Sequence, residues 1–115
     1  MDSKSKDEFL CFFSSLINGG KEMTLTEYYN LIKDDAGIIL KYERKQFGYS
    51  WKKLAKLAYT DPETIEYIEN GYVCMMTPNI LKNLSLALDI EFNVFLKRKL
   101  SADEIGDFLQ MAYYK

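Results

Sequence analysis

A chain of 115 residues with 48% hydrophobic side chains carries enough apolar content for one ordinary core, which excludes a disordered polar tail. It has no histidine, and its net charge of −2 is low for a chain that has to meet phosphates. Six glycines and two prolines favour an all-α class; no apolar run nears the roughly 18 residues of a membrane span, and the polar start is unlike a secretory leader, so the expected compartment is cytoplasmic.

In chain order, Asp7 to Ile17 places Phe9, Leu10, Phe12, Phe13, Leu16 and Ile17 at helical spacing, and Asn18-Gly19-Gly20 ends the run. So much aromatic surface on a short helix needs a core or a second copy to cover it. A second helix opens near Thr24, where Thr24-x-x-Glu27 forms a capping box, with Tyr28, Tyr29, Leu31 and Ile32 on its apolar face. Asp34-Asp35-Ala36-Gly37 either breaks this helix or bends it. Ile38, Ile39, Leu40, Tyr42 and Phe47 then carry a helical pattern to Gly48, with Lys41, Arg44 and Lys45 clustered on it.

Ser50 is a good N-cap for a helix from Trp51 to Ala58, with Leu54, Ala55 and Ala58 inward and Lys52, Lys53 and Lys56 outward. The small side chains of Ala55 and Ala58 let a following helix cross closely. Asp61 caps that helix, Pro62 takes its first position, Ile65 and Ile68 mark its buried side, and Asn70-Gly71 ends it. Two short amphipathic helices joined by a tight turn are the layout of a DNA-binding helix-turn-helix. Thr77-Pro78 opens a strongly apolar helix through Ile80, Leu81, Leu84, Leu86, Ala87 and Leu88; Phe92, Val94, Phe95 and Leu96 then pack back. Ser101-x-x-Glu104 is a second capping box, opening a last helix through Ile105, Phe108, Leu109 and Met111 to about Tyr114.

Charge is unevenly spread. Residues 1–36 hold four basic and seven acidic side chains, 37–99 hold ten and seven, and 100–115 hold one and three. The middle of the chain is its basic part, as a nucleic-acid face on a more neutral body requires. Cys11 and Cys74 lie far apart and read as small hydrophobes in a reducing compartment, and nothing offers metal-ligand spacing. No nucleophile is paired with a base, and Asp34-Asp35 and Asp103-Glu104 read as helix-end residues. Neither enzyme, metal nor cofactor is expected.

Residues 38–96 resemble the lambda-repressor/Cro-like (Xre-type) helix-turn-helix family. The residues that carry the likeness are Gly48-Tyr49-Ser50, Leu54-Ala55, Ile65, Ile68-Glu69-Asn70-Gly71, and Pro78, Leu81, Leu84 and Leu88. The resemblance implies an all-α, five-helix DNA-binding domain closed by Ile90 to Leu96. A helical extension over 1–37 and a C-terminal helix over 97–115, a candidate for dimerisation, flank it. It also implies that the third helix enters the major groove while the second lies across the backbone. Carried over by position, Asp61, Pro62, Glu63, Thr64 and Tyr67 stand where relatives meet base edges or nearby phosphates. Ser50 and Trp51 stand at the start of the second helix, Trp51 in the place of a phosphate-holding glutamine. Lys52, Lys53 and Lys56, with Arg44 and Lys45, are the implied backbone-positioning groups.

Two functions follow as expectations. One is a sequence-specific transcriptional regulator on double-stranded DNA, a repressor working as a homodimer. The other is a protein-interaction module, antitoxin-like or anti-repressor-like, which keeps the fold but binds a protein partner; its motive is the run of carboxylates Glu63, Glu66 and Glu69 on the recognition helix.

Overall fold

Why helices end where they do explains most of this architecture. In the computed structural model, which describes residues 23–114, six α-helices and two turns of 3-10 helix follow one another, with no strand among the described residues. The helix expected over Asp7 to Ile17, its Asn18-Gly19-Gly20 stop and Cys11 lie outside the described residues.

Helix α1 (Leu25–Leu31) starts at the expected capping box: the Thr24 hydroxyl accepts from the Glu27 amide at 3.1 Å, and the Glu27 carboxylate accepts from the Thr24 amide at 3.2 Å. At Ile32 the backbone turns extended and forms an isolated antiparallel bridge with Leu96. The Lys33 amide donates to the Phe95 carbonyl at 2.9 Å and the Lys97 amide to the Leu31 carbonyl at 2.7 Å. Asp34 and Asp35 therefore sit in a true break, and α2 (Ala36–Gln46) begins afresh. Its buried stripe is Ala36, Leu40 and Arg44, at four-residue spacing. Gly37 lies against α4: a Cβ there would stand 2.0 Å from the Ile68 carbonyl oxygen.

Helices α3 (Trp51–Leu57), α4 (Pro62–Glu69) and α5 (Pro78–Ala87) follow, with a 3-10 turn at Val73–Met75 before α5. Ser50 accepts from the Lys53 amide at 3.0 Å and Thr77 from the Ile80 amide at 3.3 Å, so both expected N-caps are formed. Asp61 holds the N-cap position of α4, but its side chain takes no capping hydrogen bond. Leu54, Ala55, Ala58, Ile65, Ile68, Leu81, Leu84 and Leu88 are buried together as one core.

Helices α2 to α5 close with the same device. An amide two residues past the C-cap donates back to the carbonyl five residues earlier: Tyr49 to Arg44, Thr60 to Ala55, Tyr72 to Tyr67 and Ile90 to Ser85, all within 2.9–3.1 Å. Each such turn needs one left-handed residue. Gly48 and Gly71 supply it at no steric cost, whereas Tyr59 (φ 56) and Asp89 (φ 51) hold the same conformation against their Cβ. Asn83 on α5 completes the end of α3 by donating to the Ala58 carbonyl at 3.1 Å.

The segment after α5 corrects the sequence reading. A closing helix over Ile90 to Leu96 is implied by the resemblance; the structure has one 3-10 turn, Phe92–Phe95, and then extended backbone at Leu96. Pairing with Ile32 claims that backbone, while Phe95 and Leu96 both enter the core. Helix α6 (Ala102–Tyr114) starts at its capping box, where the Ser101 amide donates to Glu104 at 3.0 Å and the Glu104 amide to the Ser101 hydroxyl at 3.2 Å. Its apolar stripe is spent inside the chain: Phe108 is fully buried, stacked on Phe92 at 4.6 Å and on Tyr28 at 5.9 Å. Ala112, further along α6, is buried as well. Tyr28, held under α6, donates its hydroxyl to the Met76 carbonyl at 2.6 Å, and burial pushes its phenol pKa upward.

Candidate nucleic-acid interface

The site grows from the junction of α2, α3 and α4. Arg44, on the inner stripe of α2, meets Glu69 at the end of α4 in a forked pair: Nε to Oε2 at 2.6 Å and Nη2 to Oε1 at 3.0 Å. The remaining arm, Nη1, donates to the Tyr49 carbonyl at 2.8 Å. Trp51, the first residue of α3, donates its indole N–H to the same Glu69 Oε1 at 3.1 Å, and the guanidinium carbon lies 5.7 Å from the indole centroid. One carboxylate thus ties the starts and ends of three helices and fixes how α4 leans on α3.

With the inner faces spent this way, the outer faces are set. Leu54, Ala55 and Ala58 point α3 inward, so Lys52, Lys53 and Lys56 spread over its exposed side. On α4, Ile65 and Ile68 are buried and the opposite side presents Glu63 and Tyr67, one turn apart, with Thr64 and Glu66 half-buried on its flanks. Asp61 and Ser50 are exposed at the two N-caps, Pro62 is half-buried at the first position of α4, and Lys45 is exposed in the last turn of α2. Cations thus occupy one helix of the pair and carboxylates the other.

One sequence expectation needs correction here. Arg44 was expected to hold a phosphate, but its side chain is only 10% exposed and its donors go to Glu69 and Tyr49. It braces the domain from within. Trp51 is 40% exposed, and its one polar hydrogen is engaged by Glu69. The sequence reading also missed Tyr72, 58% exposed and packed edge-on against Tyr67 at 5.7 Å. Its signal was its place just after the glycine that turns the chain back over α4.

Among the described residues, no group of three or more histidine, cysteine, aspartate or glutamate side chains could hold a metal ion, and no helix is long and apolar enough to cross a membrane. The helix-turn-helix family model matches residues 40–95, the stretch from the middle of α2 to the 3-10 turn after α5. Residues 40–95 are a Cro/C1-type helix-turn-helix domain. This domain has the all-α, lambda-repressor-like fold, and its family is one of DNA-binding regulators, not of enzymes. Within it α3 and α4 are the two helices of the helix-turn-helix. No curated protein and no solved structure matches the chain.

Proposed function

We propose that the chain is a sequence-specific DNA-binding transcriptional regulator of the cytoplasm, a repressor that works as a dimer on double-stranded DNA, with residues 38–96 as its DNA-binding unit. The observation that carries this reading is the exposed lysine face of α3, Lys52, Lys53 and Lys56, set beside the exposed face of α4 in a helix-turn-helix domain. Lys45 joins these lysines as a phosphate contact. Ser50 at the start of α3 and Asp61 and Pro62 at the start of α4 lie where the phosphates pass, and Glu63, Thr64 and Tyr67 face the bases. Dimerisation follows from the two half-sites such domains read.

Titration with the DNA flanking its own gene at two salt concentrations tests the reading. Affinity should fall with a log–log slope of about −0.9 for each phosphate neutralised, so four lysines give about −3.6 per protomer. The double variant Lys52→Glu, Lys53→Glu should lose at least about tenfold in affinity, equal to about 1.4 kcal/mol, with an unchanged melting temperature. Absence of retention even at low salt refutes DNA binding, and sedimentation of the DNA complex as one protein per site refutes the dimer.

A second reading has its own observation. Tyr49, Leu57, Tyr59, Leu86 and Ala87, with Asn83, line a mostly apolar hollow between the end of α3 and α5, with Leu86 73% exposed. Such a surface suits a protein partner, as in antitoxin-like or anti-repressor-like modules. Under that reading, reversing Lys52 and Lys53 leaves function intact.

A further inference from the structure

The reading face of α4 carries no cation. Glu63 is exposed in its first turn, Tyr67 follows one turn later, and Thr64 and Glu66 flank them. Glu63 enters no ion pair or side-chain hydrogen bond among the described residues, so its carboxylate is free for a ligand. Its neighbour Glu69 is different in kind, because Arg44 and Trp51 already saturate it.

An ionised carboxylate only accepts. In the major groove the bases offer it few donors. Guanine shows two acceptors, thymine an acceptor and a methyl group, adenine a donor beside an acceptor, and cytosine its N4 amino group alone. A carboxylate at the groove floor is therefore attracted by cytosine, indifferent or opposed to adenine and thymine, and repelled by guanine. We propose that Glu63 is the specificity-determining residue of the domain, reading a cytosine N4 amino group in each half-site and rejecting guanine at that position. This rests on the DNA-binding reading above.

The charge arrangement gives this residue a division of labour with α3. Lysines on α3 supply affinity that ignores sequence, because phosphates are the same everywhere. Glu63 lowers affinity for every duplex and relieves that loss only where a donor meets it, so discrimination arises by rejection of wrong sites. Tyr67, packed edge-on against Tyr72 at 5.7 Å, is a neighbour whose hydroxyl both donates and accepts and so tolerates several bases.

The test is selection from a randomised duplex pool by the full chain and by Glu63→Gln, followed by gel shifts on the selected duplex with the one base pair exchanged. For the unmodified chain, cytosine should be enriched at one position of each half-site, and its exchange for guanine should weaken binding about 5- to 150-fold. Glutamine pairs with adenine through N6 and N7, so Glu63→Gln should move the preference at that same position from cytosine to adenine and bind unrelated DNA more tightly. Glu66→Gln, on the flank, should leave the base preference unchanged. Equal melting temperatures for the three proteins confirm that folding is not at issue. If DNA is bound and selected but no position changes identity with Glu63→Gln, the inference fails and the regulator reading stands. If nothing is retained at low salt by either protein, both fail.

Discussion

Two arginine–glutamate pairs hold two regions of this molecule, and they are not equivalent. Inside the helix-turn-helix domain, Arg44 and Glu69 have side chains 10% and 3% exposed; on the flank, Arg98 and Glu104 have side chains 52% and 27% exposed. Both pairs are forked, with a shortest contact of 2.6 Å in each. The chemistry is the same, so the difference in consequence comes from water. The exposed pair trades one hydrated state for another and is screened by salt. The buried pair has lost its hydration, so each member depends on the other. The lesson is that the domain is locked by a contact that cannot be half-removed, whereas the flank is trimmed by one that can.

The sharpest break of that comparison is Arg44→Ala. It strands the Glu69 carboxylate without its cation and frees the Tyr49 carbonyl, and it should cost about 3–5 kcal/mol in a denaturant titration. Next in size is Gly37→Ala. The new Cβ would meet the Ile68 backbone oxygen at 2.0 Å, so α2 has to move off α4, and the Arg44–Glu69 geometry with it. A loss of about 1–3 kcal/mol is expected, exceeding the gain in helix propensity.

A stabilising change comes third. Tyr59→Gly removes the left-handed strain at the end of α3, and since Tyr59 is 87% exposed it gives up little packing; thermal unfolding should show a gain of about 1 kcal/mol. Asp89→Gly should gain less, because aspartate tolerates this conformation better than tyrosine.

The smallest effect belongs to the exposed pair. Hydrogen bonds from Arg98 and from Ser101 hold the Glu104 carboxyl down at about 2, against an ordinary value of 4.5. A folded-state value below the unfolded one means that stability is fully present above about pH 4.5 and is lost as pH falls through about 2. Melting curves of the unmodified protein and Glu104→Gln should differ slightly at neutral pH and converge by about pH 2. High salt should narrow the gap at neutral pH too.

The domain was legible in the sequence wherever short-range rules govern it. Ser50, Thr77-Pro78, Gly48 and Gly71 mark ends that depend only on local backbone chemistry, and Ala55 with Ala58 mark a close crossing. Arg44 was misread because its partner lies 25 residues away. The clue was nonetheless present: Ala36, Leu40 and Arg44 fall on one stripe, and a charged residue on a buried stripe must have a partner. The stretch from Ile90 to Leu96 was beyond reach for a different reason. Its apolar residues suit a helix, and only the long-range bridge to Ile32 gives its backbone a better partner. On α4, the Ile68-Glu69-Asn70-Gly71 ending already sets Glu69 apart from Glu63 in the sequence, but the partners that hold Glu69, Arg44 and Trp51, appear only in the fold.

The chain has nine tyrosines but one tryptophan, and that one is Trp51. Its indole sits where α2, α3 and α4 converge, bonded to Glu69 and faced by Arg44. Intrinsic fluorescence from this protein is therefore a local signal, an optical label built in at the domain's tightest joint. Loosening of that joint will shift the emission further toward the red as the half-exposed ring loses the cover of Arg44 and its bond to Glu69, while detachment of α6 will leave the colour unaltered.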